Sequence, residues 1–345
     1  MRKSSKNIVT IGGGTGHFVL LSGLKKYPIN LSAIVSMADN GGSTGRLRDS
    51  LGILPPGDIR QCLVALSNAS ESWRKLMNYR FKSGELKGHH FGNLLLSALE
   101  KTEGNFINGL NEASKILNIK GRVIPVSKDQ MNLHLLLNNG ETLVGEKQLD
   151  QNQKIKKIGL KSVFLDPKAN AYQKALSTIN QADMIVIGPG DHYGSIIPNL
   201  LVKGISEAIQ SSHAKVVYIC NLTNKKGQTD EFTVDDYVDS INNYLGQKRI
   251  NFVIYNYRRP NKQLTGRYER KEGKNSIVKF NPKIRKKRNY KIVIANALER
   301  KRIISNQADA ISETRSFIRH DSNKLAKILI SILEIDNKNL IKKII

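Results

Sequence analysis

Residues 7–16, NIVTIGGGTG, and residues 31–46, LSAIVSMADNGGSTGR, decide the fold of this chain. Each block begins with a short apolar run that predicts a buried strand and continues into glycine-rich sequence. An apolar-periodic run through Leu24 predicts a helix after the first glycines. Loops that leave the same edge of a parallel sheet form a crevice, and a helix that begins there favours an anion such as phosphate.

The rest of the chain alternates predicted strands and helices, which indicates an α/β fold with a mostly parallel sheet and helices on both of its faces. Residues 133–144 predict a hairpin, because Asn138-Asn139-Gly140 is a turn signal between two apolar runs. The polar residues 147–157 predict a loop, and the apolar pattern of 196–209 predicts a continuous helix.

The 345 residues, 39% of them apolar, are predicted to build a single α/β domain over residues 1–335. Within it we expect a helical patch at about 58–118 and a basic region at about 248–302, followed by a basic and apolar tail at 336–345. Cys62 and Cys220 have no Cys or His neighbour at metal-ligand spacing, so we expect two buried free thiols. No apolar run is long enough for a signal peptide or a membrane span, so we expect a cytoplasmic protein without a membrane span.

The formal net charge of +26 is concentrated in the basic region, which holds nineteen Lys and Arg against three Asp and Glu. One interpretation is a nucleic-acid or anionic-surface binder. Its candidate residues are Arg258, Arg259, Lys286, Lys287 and Arg288, interleaved with Tyr255, Tyr257, Tyr268 and Tyr290. The other interpretation, a lysine-rich solvated surface, is favoured, so a nucleic-acid partner is disfavoured.

The first glycine block matches neither of the two standard nucleotide-binding motifs. It consists of Gly12, Gly13, Gly14, Thr15 and Gly16. A dinucleotide fingerprint requires glycine at its sixth position, where this chain has His17, and a P-loop requires a terminal Gly-Lys-Ser/Thr. The block is therefore either an unlabelled phosphate loop or a tight turn in which glycine allows close packing.

The second block offers more polar chemistry. Gly41 and Gly42 supply backbone N–H groups for an anion, and Ser43 and Thr44 supply hydroxyls. Arg46, with Arg48, is suited to pair with a diphosphate, and Asp39 to bind a ribose hydroxyl or a divalent cation. A flexible loop with solvated arginines is the alternative. A similar combination recurs in PPGDIR at residues 55–60, which contains Asp58.

Three further segments are candidate contributors to the same site. Gly188 and Gly190 flank Pro189 after a buried strand and predict a second anion loop, and Asn221 ends the next strand. Asn93 stands at a predicted helix start in residues 89–94, HHFGNL. Nothing in these segments demands covalent catalysis, and no residue is assigned as a metal ligand.

These motifs, taken together and in order, resemble the gluconeogenesis factor family (CofD-like, YvcK branch), which is related to 2-phospho-L-lactate transferase. The resembling blocks are residues 11–16, 38–48, 54–60, 91–94, 188–190, 196–201 and 319–321. The resemblance implies a Rossmann-like fold that binds a UDP-sugar or another nucleotide diphosphate. It also implies a link to central carbon metabolism, cell-wall precursor supply and cell shape.

Two positions depart from the family pattern. The family usually has two acidic residues after the alanine, and here the second is Asn40. Gly-Pro-Gly is usually followed by small hydroxyl residues, and here Asp191, His192 and Gly194 stand in this segment. Asn40 argues against a metal that needs both carboxylates, and Asp191 would repel a phosphate.

The favoured hypothesis is thus a UDP-sugar-binding regulatory factor. The alternative is a 2-phospho-L-lactate transferase-like enzyme, in which Asp39, Asp58 and Asn93 are the candidate catalytic residues near the transferred phosphate. No cofactor is assigned with certainty, and Mg²⁺ is the candidate under the transferase alternative. A homo-oligomer is compatible with both the regulatory factor and the transferase-like enzyme.

Overall fold

The computed structural model describes residues 5–280, 288–299 and 318–335, and a parallel sheet of seven strands forms its centre. The alternation of apolar strands with helices therefore predicts the fold class correctly. The strands of this sheet are β1 (Asn7–Gly12), β2 (Asn30–Val35), β3 (Arg122–Pro125), β7 (Met184–Ile187), β8 (Lys215–Ile219), β9 (Phe252–Asn256) and β10 (Lys291–Ala295).

The strand order β10-β9-β8-β7-β1-β2-β3 places a topological switch point between β1 and β7. Ile11 pairs in register with Ile34 of β2 on one side and with Ile187 of β7 on the other. The loops after β1 and β7 consequently leave the same sheet edge and diverge to opposite sides. This is where a doubly wound sheet opens a crevice.

Helices join the strands and cover the sheet. Because β–α–β crossovers are right-handed, connections that proceed in opposite directions from the switch point place their helices on opposite faces. The helices before β3 are α1 (Gly14–Leu24), α2 (Gly42–Leu51), α3 (Gly57–Leu66), α4 (Glu71–Asn78), α5 (Phe91–Thr102) and α6 (Phe106–Ile116). The later helices are α7 (Gln148–Gln151), α8 (Gln153–Ile158), α9 (Gln173–Asn180), α10 (Ile197–Leu200), α11 (Ile205–Ser211), α12 (Val234–Leu245), α13 (Lys262–Glu272) and α14 (Ser322–Glu334).

A smaller antiparallel sheet lies outside this alternation. It has the order β5-β4-β6 and consists of β4 (Asn132–Leu137), β5 (Thr142–Val144) and β6 (Leu160–Asp166). The predicted hairpin is confirmed, since β4 and β5 pair antiparallel around the Asn138–Gly140 turn. The predicted loop at 147–157 is wrong, because Leu149 and Ile155 are buried and anchor α7 and α8 on the core.

Two other local predictions are also wrong. The segment from Gly42 onward is the helix α2, not a loop, and its Ser43, Thr44, Gly45 and Leu47 are buried. The predicted helix over 196–209 is divided into the end of a π-helical segment (His192–Ile196), α10 and α11. Gly204, at φ +99°, adopts a left-handed conformation between α10 and α11 that interrupts a continuous helix.

The core is built from the central strands and the apolar faces of the helices. β7 is buried along its whole length, and Cys62 and Cys220 are buried free thiols, as the sequence predicts. Because strands covered on both faces read as continuous apolar runs, this core was recognisable in the sequence. No helix in the described parts of the chain is long and apolar enough to cross a membrane.

In the described part of the basic region, most Lys and Arg side chains are exposed, whereas most of the tyrosines pack into the fold. Tyr268 and Tyr290 are buried and Tyr255 is half-buried, so these rings pack inward and do not form a stacking surface. Arg249 donates to the backbone carbonyls of Ile209, Ser212 and Ala214. Arg258, Arg259 and Tyr257 are exposed, Arg288 pairs with Asp235, and Lys286, Lys287 and the 336–345 tail lie outside the described residues.

Candidate functional site

A cleft of about 320 Å³ opens at the switch point, between the start of α1 and the loops that follow β7 and β8. It lies at the switch point between β1 and β7, and residues 39–46, which the sequence analysis expected to form a wall of the crevice, are not in its lining. The segments after β1, β7 and β8 contribute Gly13, Gly14, Thr15, Gly16, Pro189, Gly190 and Asn221 to its lining. The polar side chains around it include Gln61, Glu146, Asp150, Asp191, His192, Ser195, Thr223, Lys225, Gln228, Arg319 and His320.

Close packing explains two glycines of the first block. A Cβ at Gly16 would lie 2.6 Å from the carbonyl oxygen of Pro189, and a Cβ at Gly13 would overlap the carboxylate of Asp58. Only glycine permits these approaches, which press the start of α1 against the Gly188-Pro189-Gly190 loop. The two interpretations of this block are therefore compatible, since the glycines that pack also bring helix N–H groups to the cleft.

The first N–H group of α1 already has a carboxyl partner within the chain. Gly14 N–H donates to Asp58 Oδ1 at 3.0 Å, and Gln61 Nε2 approaches the same oxygen at 3.4 Å. The next two N–H groups of a helix also lack an intrahelical acceptor, and here they belong to Thr15 and Gly16 in the cleft lining. The helix start can thus accept an external anion beside Asp58.

Asp58, Asp39 and Glu146 form an acidic cluster beside the cleft. Burial, followed by repulsion from Asp39, raises the pKa of Asp58 to about 7. Burial also raises the pKa of Asp39, against the lowering effect of the Gly41 N–H, which donates to it at 2.8 Å, and of the Thr44 hydroxyl. Burial and the neighbouring carboxylates raise the pKa of Glu146 well above its usual value. Near neutral pH the Asp58 carboxyl therefore exchanges between its protonated and charged forms, and burial shifts the pKa values of Asp39 and Glu146 in the same direction.

The acidic cluster does not form a preformed metal centre. Within the parts of the chain that the structure describes, no three His, Cys, Asp or Glu side chains are arranged to hold a metal ion. Asn40, the departure from two acidic residues, has a structural contact instead, because its Oδ1 accepts from Lys147 N–H at 3.1 Å. This hydrogen bond joins the segment between β2 and α2 to the turn that carries Glu146.

Ser43 of the second block and Asn93 lie in a buried polar network outside the cleft lining. Asn93 accepts from Arg60 Nε at 2.9 Å and donates to Ser43 Oγ at 3.1 Å, and Ser43 also contacts His89 Nδ1. Both Asn93 and Ser43 are buried. Their polar atoms join α2, α3 and α5, and both residues lie outside the described cleft lining, so the site roles predicted for them remain predictions.

The two arginines of this block also bond within the protein. Arg46 Nη2 donates to the carbonyl of Lys87 at 2.9 Å, and Arg48 Nη2 donates to Asn132 Oδ1 at 2.5 Å. Neither arginine, and neither Gly41 nor Gly42, lines the described cleft. The ligand-binding roles predicted for them remain predictions.

The loops after β7 and β8 lie together at the sheet edge, as the sequence suggests. Asn221 Nδ2 donates to Gly190 O at 2.9 Å, and Asn221 Oδ1 accepts from the Tyr218 hydroxyl at 3.0 Å. Asn221 therefore fixes the second glycine loop while it lines the cleft. Gly12 and Gly188 stand at the adjacent ends of β1 and β7, where Gly188 N–H donates to Ile11 O at 2.9 Å.

Asp191 and His192, the other departures, are held by local contacts. Asp191 Oδ1 accepts from Gly194 N–H at 2.8 Å, and its other oxygen forms an ion pair with Lys225. The charge of Lys225 and the Gly194 N–H keep the pKa of Asp191 low, although burial acts to raise it. His192 is buried, which lowers its pKa to about 4, and its Nε2 lies 2.8 Å from Ser240 Oγ.

Glu146 and Lys225 are among the charged residues of this site that the sequence analysis did not assign. Glu146 follows a strand of the small antiparallel sheet, which has no place in a strand–loop–helix pattern. Lys225 stands in the polar segment 221–229, where sequence alone does not distinguish a cleft residue from a solvated lysine. In the sequence, each of them is recognisable only as a charged residue in a segment that follows a predicted strand.

Comparison with known proteins agrees with this geometry. Residues 8–298 match the model of the family described as 2-phospho-L-lactate transferase CofD. The chain is 36% identical over 329 residues to the gluconeogenesis factor of Bacillus subtilis, covering 95% of this chain and 98% of that protein. It is 46% identical over 243 residues to the gluconeogenesis factor of Halalkalibacterium halodurans, covering 70% and 74% of the two chains.

A solved structure shares the architecture. The crystal structure of a Bacillus halodurans protein described as a member of the UPF0052 family aligns with a TM-score of 0.84 and 35% sequence identity. The alignment covers 95% of this chain and 99% of that chain. Together with the parallel sheet, the glycine-lined cleft and the family match, these similarities show that the chain belongs to the gluconeogenesis factor family of CofD-like proteins.

Proposed function

We propose that the protein is a regulatory factor that binds a nucleotide diphosphate, with a UDP-sugar as the favoured ligand, in the cleft between β1 and β7. The observation that carries this proposal is the start of α1 in the cleft lining, where Thr15 and Gly16 present N–H groups at the positive end of a helix. The diphosphate would lie against these groups and against Gly190.

The polar side chains of the cleft suit the rest of such a ligand. The amide of Gln61 and the hydroxyl of Thr223 can bond the hydroxyls of a ribose or sugar. Burial raises the pKa of Glu146 well above its usual value, which disfavours the charged form that would repel the diphosphate. The cleft can therefore accept an anion although three acidic residues line it.

The cellular role that we propose follows from family membership. As a member of the gluconeogenesis factor family, the protein would link nucleotide-sugar levels in the cytoplasm to central carbon metabolism, cell-wall precursor supply and cell shape. A binding role fits the site, because the polar groups of the described cleft are arranged for recognition of a polar ligand.

A pair of variants at Thr15 tests the role of the helix start. Proline is tolerated in the first helical turn but has no N–H group, so Thr15→Pro removes one proposed phosphate donor and Thr15→Ala keeps it. In calorimetric titration with UDP-N-acetylglucosamine, we expect Thr15→Pro to weaken binding about tenfold, since a hydrogen bond to a charged group contributes ~1.5–3 kcal/mol. Thr15→Ala is the matched control and should bind within about threefold of the parent protein.

Binding that is equally strong in both variants would remove the helix start from the site. The absence of binding heat from the folded parent protein at millimolar UDP-N-acetylglucosamine and UDP-glucose would contradict the proposed function itself. Circular dichroism melting of each variant verifies that the fold is retained.

Asp58 favours a second candidate, a transferase-like activity. A carboxyl whose pKa is about 7 beside a ligand cleft is suited to accept a proton from an attacking hydroxyl. Phosphorus NMR of the protein with Mg²⁺, a lactyl-phospho-guanosine nucleotide and a deazaflavin acceptor tests this candidate. A new phosphodiester resonance that is lost in Asp58→Asn would support it, and an unchanged spectrum would count against it.

A further inference from the structure

An ion-pair bridge crosses one wall of the cleft and involves Lys225, Asp191 and Asp150. Lys225 Nζ lies 2.7 Å from Asp150 Oδ1 and also pairs with Asp191 Oδ2. The three residues come from different elements, since Lys225 follows β8, Asp191 follows β7 and Asp150 belongs to α7. The bridge thus joins two loops and helix α7 at the place where the proposed diphosphate would enter.

The two carboxylates hold Lys225 in different ways. The side chain of Asp191 is 18% exposed and is oriented by the Gly194 N–H, whereas that of Asp150 is 47% exposed. An attraction between charges weakens as water gains access to them. Asp191 is therefore the stronger of the two partners, although both pairs have ion-pair geometry.

The same ammonium group is well placed for a phosphate. Lys225 lines the cleft together with Thr15, Gly16 and Gly190, which surround the proposed diphosphate position. A phosphate bound there would be attracted to Lys225 and repelled by Asp191. Because Asp191 and Asp150 already pair with Lys225 and offset its positive charge, a phosphate would compete with them for the ammonium group.

We propose that Lys225 is the phosphate-binding cation of the cleft and that Asp191 is a built-in competitor that lowers the affinity of the site. This inference rests on the proposed function and adds that Asp191 sets the ligand concentration at which the site fills. Release of Lys225 from Asp191 when the ligand binds would make the protein respond to nucleotide-sugar concentrations higher than those needed to fill an uncompeted site.

Titration with inorganic pyrophosphate and with UDP-N-acetylglucosamine tests this assignment in the full chain. Asp191→Asn keeps an oxygen that can accept from Gly194 N–H but removes the competing charge, so both ligands should bind about tenfold more tightly. Asp150→Asn is the matched control on the same lysine, and because Asp150 is exposed we expect a gain of about twofold or less.

Lys225→Met supplies the other half of the experiment. It should weaken both ligands by about tenfold or more, and the double variant Asp191→Asn with Lys225→Met should have the low affinity of Lys225→Met alone. Asp191→Ser, which also keeps a capping oxygen, provides a second variant if Asp191→Asn has a lowered melting temperature.

The outcomes separate this inference from the proposed function. If the parent protein binds UDP-N-acetylglucosamine and the folded Asp191 variants bind no more tightly, Asp191 is not a competitor and the inference is wrong. If Asp191→Asn gains pyrophosphate binding while no variant binds the nucleotide sugar, the lysine assignment holds and the proposed ligand is wrong. If neither the parent protein nor any variant binds pyrophosphate or UDP-N-acetylglucosamine, both the lysine assignment and the proposed function are wrong.

Discussion

At the scale of single residues, the chemistry of the site is determined by charges that burial makes unfavourable. Asp58 accepts the first N–H of α1 and lies next to Asp39, and its pKa of about 7 reflects the cost of ionising it there. The sequence identifies Asp39 and Asp58 as candidates, because both stand in recognisable motifs. It does not reveal their raised pKa values, since burial and mutual repulsion depend on the folded chain.

The raised pKa of Asp58 makes stability depend on pH. Between about pH 4 and pH 7 the folded protein keeps this proton while the unfolded chain has released it, so stability falls as the pH rises. Asp58→Asn removes the cost of ionisation but keeps an acceptor for Gly14 N–H. We expect it to raise the free energy of unfolding by on the order of 2–4 kcal/mol at pH 8 and by much less at pH 4.

Urea unfolding at pH 4, 6 and 8 measures this difference. Asp49→Asn, at an exposed position of α2, is the matched control and should change stability by less than about 0.5 kcal/mol at each pH. A gain for Asp58→Asn that is equal at all three pH values would show that the carboxyl does not titrate as described.

At the scale of elements, the site is assembled by bonds between segments that are distant in sequence. The sequence predicts the strand–glycine–helix unit of β1 and α1 because its pattern is local. It does not predict that residues 42–51 form a helix, since small polar residues and glycines are weak helix formers and burial against α5 decides the outcome. Helices α7 and α8 were missed for the same reason, because two buried side chains stabilise them.

The hydrogen bond that Asn40 accepts from Lys147 N–H is the contact between elements that is simplest to test. It joins the segment between β2 and α2 to the turn after β5. Asn40→Ala should lower the free energy of unfolding by about 1 kcal/mol, the usual contribution of one hydrogen bond, and should speed amide hydrogen exchange at Lys147.

Asn139→Ala is the matched control for this exchange experiment. Asn139 Oδ1 accepts from Glu141 N–H at 3.1 Å in the exposed turn between β4 and β5. Its loss should speed exchange at Glu141 and leave Lys147 unchanged. Equal exchange at Lys147 in the parent protein and in Asn40→Ala would show that this bond does not hold the turn.

At the scale of the whole molecule, the parallel sheet and its switch point create the cleft. The sequence predicts this sheet and the convergence of its loops, because buried strands and glycine-rich ends leave clear patterns. It cannot predict which side of the second block faces the cleft. Ser43, Thr44 and Asn93 look like ligand contacts in the sequence, and in the structure their polar atoms are used by Arg60, His89 and Asp39.

A crystal structure of the protein with UDP-N-acetylglucosamine tests whether the cleft between β1 and β7 is the diphosphate site. We expect the diphosphate within hydrogen-bond distance of the Thr15 and Gly16 N–H groups, with Lys225 Nζ turned from Asp191 toward a phosphate oxygen. A diphosphate bound elsewhere, or a cleft that stays without ligand in crystals grown at millimolar UDP-N-acetylglucosamine, would contradict this expectation.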